Sequence, residues 1–259
     1  MRSLRSIAFN LYFYLNISIW MILSLPLLAL PKGVLWRVIF AWSRGNIVAL
    51  KWLAAIEVEL RGLENLPNTP VIIAAKHQSA FETICLLHLF QRPAFILKKE
   101  LMRIPLLGWY AAKLAMIPVD RKAGQKALRS MMASARSVLD DGRHIIIFPE
   151  GTRRVPGAKP AYKHGIIHLY RDLQIPVVPV ALNSGLYWPR KGFGRHSGKI
   201  IVEFYPAIEI GLDGGTFFHR LQETIEQGSD RLLVEGARDV AKPPLSTETA
   251  DRVTKITHT

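Results

Sequence analysis

Val71-Ile72-Ile73-Ala74-Ala75, running directly into Lys76-His77-Gln78-Ser79-Ala80-Phe81-Glu82-Thr83, is the stretch on which the fold turns. Five apolar residues in a short run predict a buried strand. Ser79 and Glu82 stand in the Ser-x-x-Glu spacing of a capping box, with the serine as N-cap, and so predict a helix start at once. A strand passing into a helix through a short loop is the repeating unit of an α/β domain. Outward from here, further strand-like runs occur at Ala94 to Leu97, Ala115 to Val119, Ile145 to Phe148, Val177 to Leu182 and Lys199 to Phe204. Helical candidates lie between and beyond them, around Phe81 to Phe90, Gly124 to Asp140, Tyr162 to Asp172 and Phe217 to Leu233. The alternation predicts an α/β fold with a mainly parallel sheet flanked by helices and functional residues in loops at strand ends.

Upstream, no charge interrupts Ile7 to Leu30. As a helix this run would reach roughly 36 Å, enough for a hydrocarbon core of about 30 Å, although Pro26 would shorten or kink it. Pro31 leads into a second apolar stretch instead of a polar mature sequence, which argues against a cleaved signal peptide. Within that stretch, Val34 to Ile56, the cations Arg37, Arg44 and Lys51 recur every seventh residue and share one helical stripe. Trp36, Phe40, Trp42, Ile47, Leu50 and Trp52 occupy the other faces, a pattern suited to the membrane interface. A helix packed on the globular domain is the plainer alternative. Arg2 and Arg5 before the first run, and Lys32 and Arg37 after it, give no charge gradient, so a hairpin or re-entrant pair with both ends cytoplasmic is expected. The division is therefore 1–60 for a membrane-embedded N-terminal helix pair, 61–235 for the α/β domain, and 236–259 for a polar tail expected to stay mobile.

Length and composition bound the possibilities. At 259 residues there is room for one core and an appendage. Lys and Arg total 34 against 20 Asp and Glu, a net charge of +14, so the partner is anionic: nucleic acid, acidic phospholipid or a phosphorylated substrate. A single cysteine, Cys85, excludes an intramolecular disulfide and a thiolate metal cluster, and its apolar surroundings mark an inert thiol. No Gly-x-Ser-x-Gly, P-loop or His-Glu-x-x-His pattern occurs.

Candidate chemistry gathers at the strand ends. His77 and Glu82 can meet only if His77 lies on the loop before the helix, with Glu82 in the first turn holding one imidazole tautomer. The alternative is a carboxylate that merely caps the helix and an ordinary loop histidine. Phe148-Pro149-Glu150-Gly151-Thr152-Arg153-Arg154 follows another strand; Gly151 permits a tight turn, and the arginines can donate to a phosphate. Lys98, Lys99 and Arg121 follow two more strands, and repeated cations at strand ends are what an anion site in an α/β sheet requires. The remaining histidines read as structural or surface residues.

Taken together, these segments resemble the glycerolipid acyltransferase family over roughly Lys76 to Tyr187. Lys76 to Thr83 is similar to its His-x4-Asp motif, Phe95 to Trp109 to its second block, Phe148 to Arg153 to its Phe-Pro-Glu-Gly-Thr-Arg block, and Pro176 to Gly185 to its fourth. Glu82 stands where the family more often has aspartate; the extra methylene moves the carboxylate and keeps its charge. The resemblance implies a glycerol-3-phosphate acyltransferase-like fold and acyl transfer to lysophosphatidic acid, with His77 as general base and Glu82 orienting it. Arg153, with Lys98 or Lys99, would hold the acceptor phosphate, Glu150, Gly151 and Thr152 would shape that pocket, and Pro179 with Val178 and Val180 would line the acyl or acceptor region. The implied donors are acyl carrier protein or coenzyme A thioesters, both acidic, as the net charge suits. No cofactor, metal or nucleic acid is expected, and membrane phospholipid is the expected surface, at the cytoplasmic face of the inner membrane. Glycerol-3-phosphate, a lyso-aminolipid acceptor, or a non-catalytic basic lipid-binding protein are the alternatives.

Overall fold

The computed structural model describes residues 2–120, 123–239 and 243–258, with Arg2 and Ser3 by backbone alone. Among the described residues seven strands form one sheet: β1 (Ile56–Arg61), β2 (Ile72–Ala75), β3 (Ala94–Lys98), β4 (Ile117–Val119), β5 (Ile145–Ile147), β6 (Val177–Leu182) and β7 (Gly198–Phe204). Their order is β1-β7-β6-β2-β5-β3-β4, and every neighbouring pair is parallel except β6 with β7. The mainly parallel sheet expected from the sequence is present, and all six predicted runs enter it.

Both faces of the sheet are covered, and the side-chain alternation of a strand explains why these runs are apolar throughout. Ile73 and Ala75 point into one core with Ile146 and Val178, under α1 (Arg2–Leu23), α2 (Lys32–Ala54) and α3 (Phe81–Leu89). Ile72 and Ala74 point into the other with Ile145, Ile147 and Val177, under α5 (Gly124–Asp140), α6 (Gly165–Leu173) and α8 (Gly214–Ala237). The short helices α4 (Leu107–Lys113) and α7 (Ser184–Tyr187) follow the β3 and β6 ends.

Two boundaries differ from the expectation. The second apolar run is helical only to Ala54; Ala55 turns to φ 53° and gives its N–H to the Leu50 carbonyl, ending α2. Ile56-Glu57-Val58-Glu59-Leu60-Arg61 then alternates with period two and pairs with β7, so a border at residue 60 falls inside an edge strand. Beyond Gly236, where composition predicts a mobile tail, Thr247–Thr257 form α9. Ser246 caps it by accepting the Thr249 N–H at 3.3 Å, Thr249 Oγ1 donates to the Pro156 carbonyl at 2.9 Å, and Arg252 pairs with Asp230 of α8. Capping and one docked face, which average polarity hides, account for the helix.

α1 packs on α2 and is long and apolar enough to cross a membrane; among the described residues it alone meets that description. Leu4, Ile7, Leu11, Leu15, Ile19 and Ile22 of its outer stripe are exposed. In α2 the cations Arg37, Arg44 and Lys51 are exposed as one stripe, while Leu35, Trp36, Leu50 and Ala54 face inward.

Candidate active site

The site forms where β2 and its parallel neighbour β5 end, the position at which an α/β sheet presents its loops. His77 leaves β2 after Lys76 and stacks its ring on Phe148, which leaves β5, with centroids 3.9 Å apart. Backbone bonds latch the two loops: the Arg154 N–H reaches the His77 carbonyl at 2.7 Å, and the His77 N–H reaches Glu150 Oε2 at 3.3 Å. A third loop joins through Gln78, whose Oε1 accepts the Gly185 N–H at 3.0 Å. Gly185 lies so close that a Cβ there would meet Pro156 Cγ at 2.7 Å, which no flexible side-chain end could relieve.

Glu82 is fully buried at the start of α3. Its Oε1 accepts the N–H groups of Gln78 and Ser79 at 2.5 and 2.8 Å and lies 3.9 Å from His77 Nδ1. The carboxylate thus takes backbone amides at the helix start and at the same time lies beside the imidazole. The N-cap is Ala80, with no side-chain cap bond, and Ser79 instead accepts the Phe81 N–H at 3.2 Å. Among the described residues His77 Nδ1 has no hydrogen-bond partner; it is buried and faces Glu82, so Nε2 is the ring nitrogen left for a bound molecule.

Below His77 lies a group of charges that motif reading missed. Lys76 is buried and its Nζ bridges Glu150 Oε1 at 3.0 Å and Glu226 Oε1 of α8 at 2.6 Å. Tyr162 donates to the same Glu226 oxygen at 2.8 Å. Burial raises the Glu150 pKa above the usual carboxylate value against the pull of Lys76, and burial beside Glu226 and Glu150 holds the Tyr162 hydroxyl protonated. Glu150 therefore faces the interior, holding Lys76 and the His77 backbone. A lysine between a buried strand and a histidine was the local signal; Glu226 has none.

A cavity of about 430 Å³ opens beside His77, walled by apolar residues of α1, α2, α3, β3 and α4, among them Trp20, Trp42 and Ala111. His77, Ser79 and Arg153 supply polar groups to the same cavity. Gly151, with φ 65°, closes the turn before Arg153 by donating its N–H to Phe148, and Thr152 is half-buried in that turn. Lys98 and Lys99 stand exposed at the end of β3, outside the cavity lining, and Lys99 pairs with Asp120 at 3.2 Å. Arg121 lies outside the described residues. Pro179 does not line the cavity: it is buried within β6, where strand alternation and its pairing with Ala74 keep it in the sheet, and its carbonyl accepts from Tyr205. Val178 and Val180 are sheet core. Cys85 is buried in α3, which pushes its thiol up to about 12 and leaves it unreactive at neutral pH.

A histidine beside a carboxylate and an arginine at the strand ends of an α/β sheet, opening on an apolar cavity, make a site suited to a lipid-like molecule with a charged head. The chain belongs to the acyltransferase family: the family model described as Acyltransferase matches residues 57–183. It is 33% identical over 236 residues to the 1-acyl-sn-glycerol-3-phosphate acyltransferase of Pseudomonas aeruginosa, covering 90% of this chain and 92% of that one. The protein of the same name from Saccharomyces cerevisiae is 32% identical over 210 residues, 78% of this chain and 69% of its own. The crystal structure of the 1-acyl-sn-glycerophosphate acyltransferase of Thermotoga maritima shares the fold, with TM-score 0.72 at 24% identity, covering 90% of this chain and 98% of that one.

Proposed function

We propose that this acyltransferase transfers a fatty acyl group from an acyl carrier protein or coenzyme A thioester to the sn-2 hydroxyl of lysophosphatidic acid, giving phosphatidic acid. The observation that carries the reading is that His77 and Arg153 share one apolar cavity. His77 Nε2 takes the proton of the acceptor hydroxyl as its oxygen attacks the thioester carbonyl carbon. The tetrahedral intermediate collapses, the C–S bond breaks, and the departing sulfur recovers the proton from the imidazolium. Glu82 stabilises that imidazolium through Nδ1, with its own position held by two backbone amides. Arg153 binds the acceptor phosphate, for which a guanidinium fork is suited, and Lys98 and Lys99 add positive potential at the rim. The chemistry draws on no metal, cofactor or covalent acyl-enzyme. α1 anchors the protein at the cytoplasmic face of the inner membrane, and the basic stripe of α2 lies against anionic headgroups, each cation contributing about 1 kcal/mol. The relatives named for the same acceptor support this reading.

The test offers purified protein lysophosphatidic acid, glycerol-3-phosphate and lyso-ornithine lipid, each with acyl carrier protein and coenzyme A donors, and identifies the products. Phosphatidic acid is the expected main product; preferential acylation of either other acceptor rejects the assignment, and no transfer at all leaves a lipid-binding protein.

The acyl chain is assigned to the apolar part of the cavity, whose volume lies in the ligand-binding range. Ala111 is buried in its wall. Ala111→Phe fills space there and is expected to reduce kcat/KM for long-chain donors by about tenfold or more, with a short-chain donor little affected. An equal loss for both would place the chain elsewhere.

A further inference from the structure

The segment 189–196, between α7 and β7, carries an aromatic residue that the acyl-transfer site does not use. Phe193 leaves 73% of its surface exposed. Arg190 and Lys191 precede it, also exposed, and no acidic residue occurs from Pro189 to Ser197. A solvated loop would have no need of a fixed conformation, yet this one is fastened to α1. The Phe193 carbonyl accepts from Asn10 Nδ2 at 2.6 Å. Ser6 Oγ donates to the Arg195 carbonyl at 3.0 Å and lies 2.9 Å from the Arg195 N–H. Arg195 itself is buried with its guanidinium 4.7 Å above the Trp188 ring, and Trp188 meets Phe9 and Phe13 of α1 edge to face at 5.2 Å each. The exposed Phe193 thus has its main chain tied to Asn10 of α1, whose sequence neighbours Ile7 and Leu11 are exposed on the apolar stripe.

We infer that residues 189–196 form a second membrane-contacting element, which inserts Phe193 into an anionic lipid surface beside α1 and sets Arg190 and Lys191 against headgroup phosphates. The inference rests on the reading of α1 as a membrane anchor. Lipid is favoured over a protein partner because the loop that bears the exposed aromatic residue is fastened to a helix already long and apolar enough to enter a bilayer. Cations flanking an aromatic residue are also the usual make-up of an interfacial contact, with the ring among the upper acyl chains and the charges in the headgroup layer. The loop reaches the acyl-transfer site as well, since Arg190 Nη1 donates to the carbonyl of Arg153 at 2.8 Å. Membrane engagement by the loop is thus transmitted to the residue assigned to the acceptor phosphate, at the point where a bilayer-resident acceptor enters.

The test uses the full chain with Phe193→Cys carrying a polarity-sensitive fluorophore. Cys85 is buried, so labelling is confined to position 193, and unsubstituted protein taking no label confirms it. The expected result with vesicles of phosphatidylcholine and phosphatidylglycerol is a blue-shifted emission, quenched by lipids spin-labelled near the carbonyl. The same label at the exposed Lys126, on the helix layer opposite α1, stays aqueous. Lys191→Ala in otherwise unaltered protein is expected to weaken partitioning onto these vesicles about fivefold, with turnover of a short-chain, water-soluble acceptor unchanged. Vesicle-bound protein whose position-193 label remains in water overturns the loop inference and leaves the α1 anchor standing. Absence of vesicle binding overturns both. Equal shifts on purely phosphatidylcholine vesicles overturn the assignment of Arg190 and Lys191 to anionic headgroups.

Discussion

Replacing His77 with alanine is expected to lower turnover by about 10² to 10⁴, the range of general-base assistance, while the protein stays folded and membrane-associated. The ring is mostly buried against Phe148, but its loop is fixed by main-chain bonds at both its N–H and carbonyl, so the loop keeps its course without the imidazole. Acyl transfer by purified protein, measured with circular dichroism and vesicle binding as controls, checks this; full activity in the variant rejects the general base. Glu82 gives the companion result. Glu82→Gln keeps one oxygen for the Gln78 and Ser79 amides while removing the charge beside Nδ1, so kcat should fall with thermal stability nearly unchanged. Glu82→Asp is expected to retain more of the activity. If the glutamine variant turned over like the parent, Glu82 would be a cap alone.

Lys76→Met is expected to produce the largest loss of stability. The change leaves Glu150 and Glu226 facing each other without their shared cation, and uncoupling a buried ion pair in this way costs about 3–5 kcal/mol. For a chain of this size that corresponds to a fall in Tm on the order of 10 °C. Glu226→Gln alone should be milder, because Lys76 retains Glu150, and the Lys76→Met/Glu226→Gln double variant should be less destabilised than the sum of the singles. Thermal unfolding of the four proteins measures the coupling, and strict additivity would mean that the three charges do not act as a unit. Activity should fall with Lys76→Met even below its Tm, since Glu150 also holds the His77 N–H.

The parallel sheet was legible because its strands are buried on both faces and read as unbroken apolar runs, as Ile145-Ile146-Ile147 and Val177 to Leu182 do. β1 escaped for the converse reason: an edge strand alternates, and its six residues follow a long apolar helix whose pattern overran them. The helix start after His77 was legible from Ser79 and Glu82: the carboxylate takes the Ser79 N–H and the serine hydroxyl the Phe81 N–H, as a capping box does, while the further bond from the Gln78 N–H to the same carboxylate was not foreseen. His77, Glu82 and Arg153 could be selected because each follows a strand end. Glu226 could not, since it joins Lys76 across 150 residues through packing that no local pattern encodes. Lys98 and Lys99 show the limit of the strand-end argument: position brings a cation to the correct edge of the sheet, yet side-chain direction decides whether it enters the cavity.

One residue, Ala55, separates the second N-terminal helix from the outermost strand. There is no slack there for a swivel, so any pull or tilt imposed on the helices is a load on the rim of the sheet itself. An attempt to obtain a soluble catalytic fragment by trimming the front of the chain would unzip that rim strand from its neighbour and bare the greasy underside of the sheet. The N-terminal helices are better regarded as a structural wall of the enzyme than as an appendage attached to it.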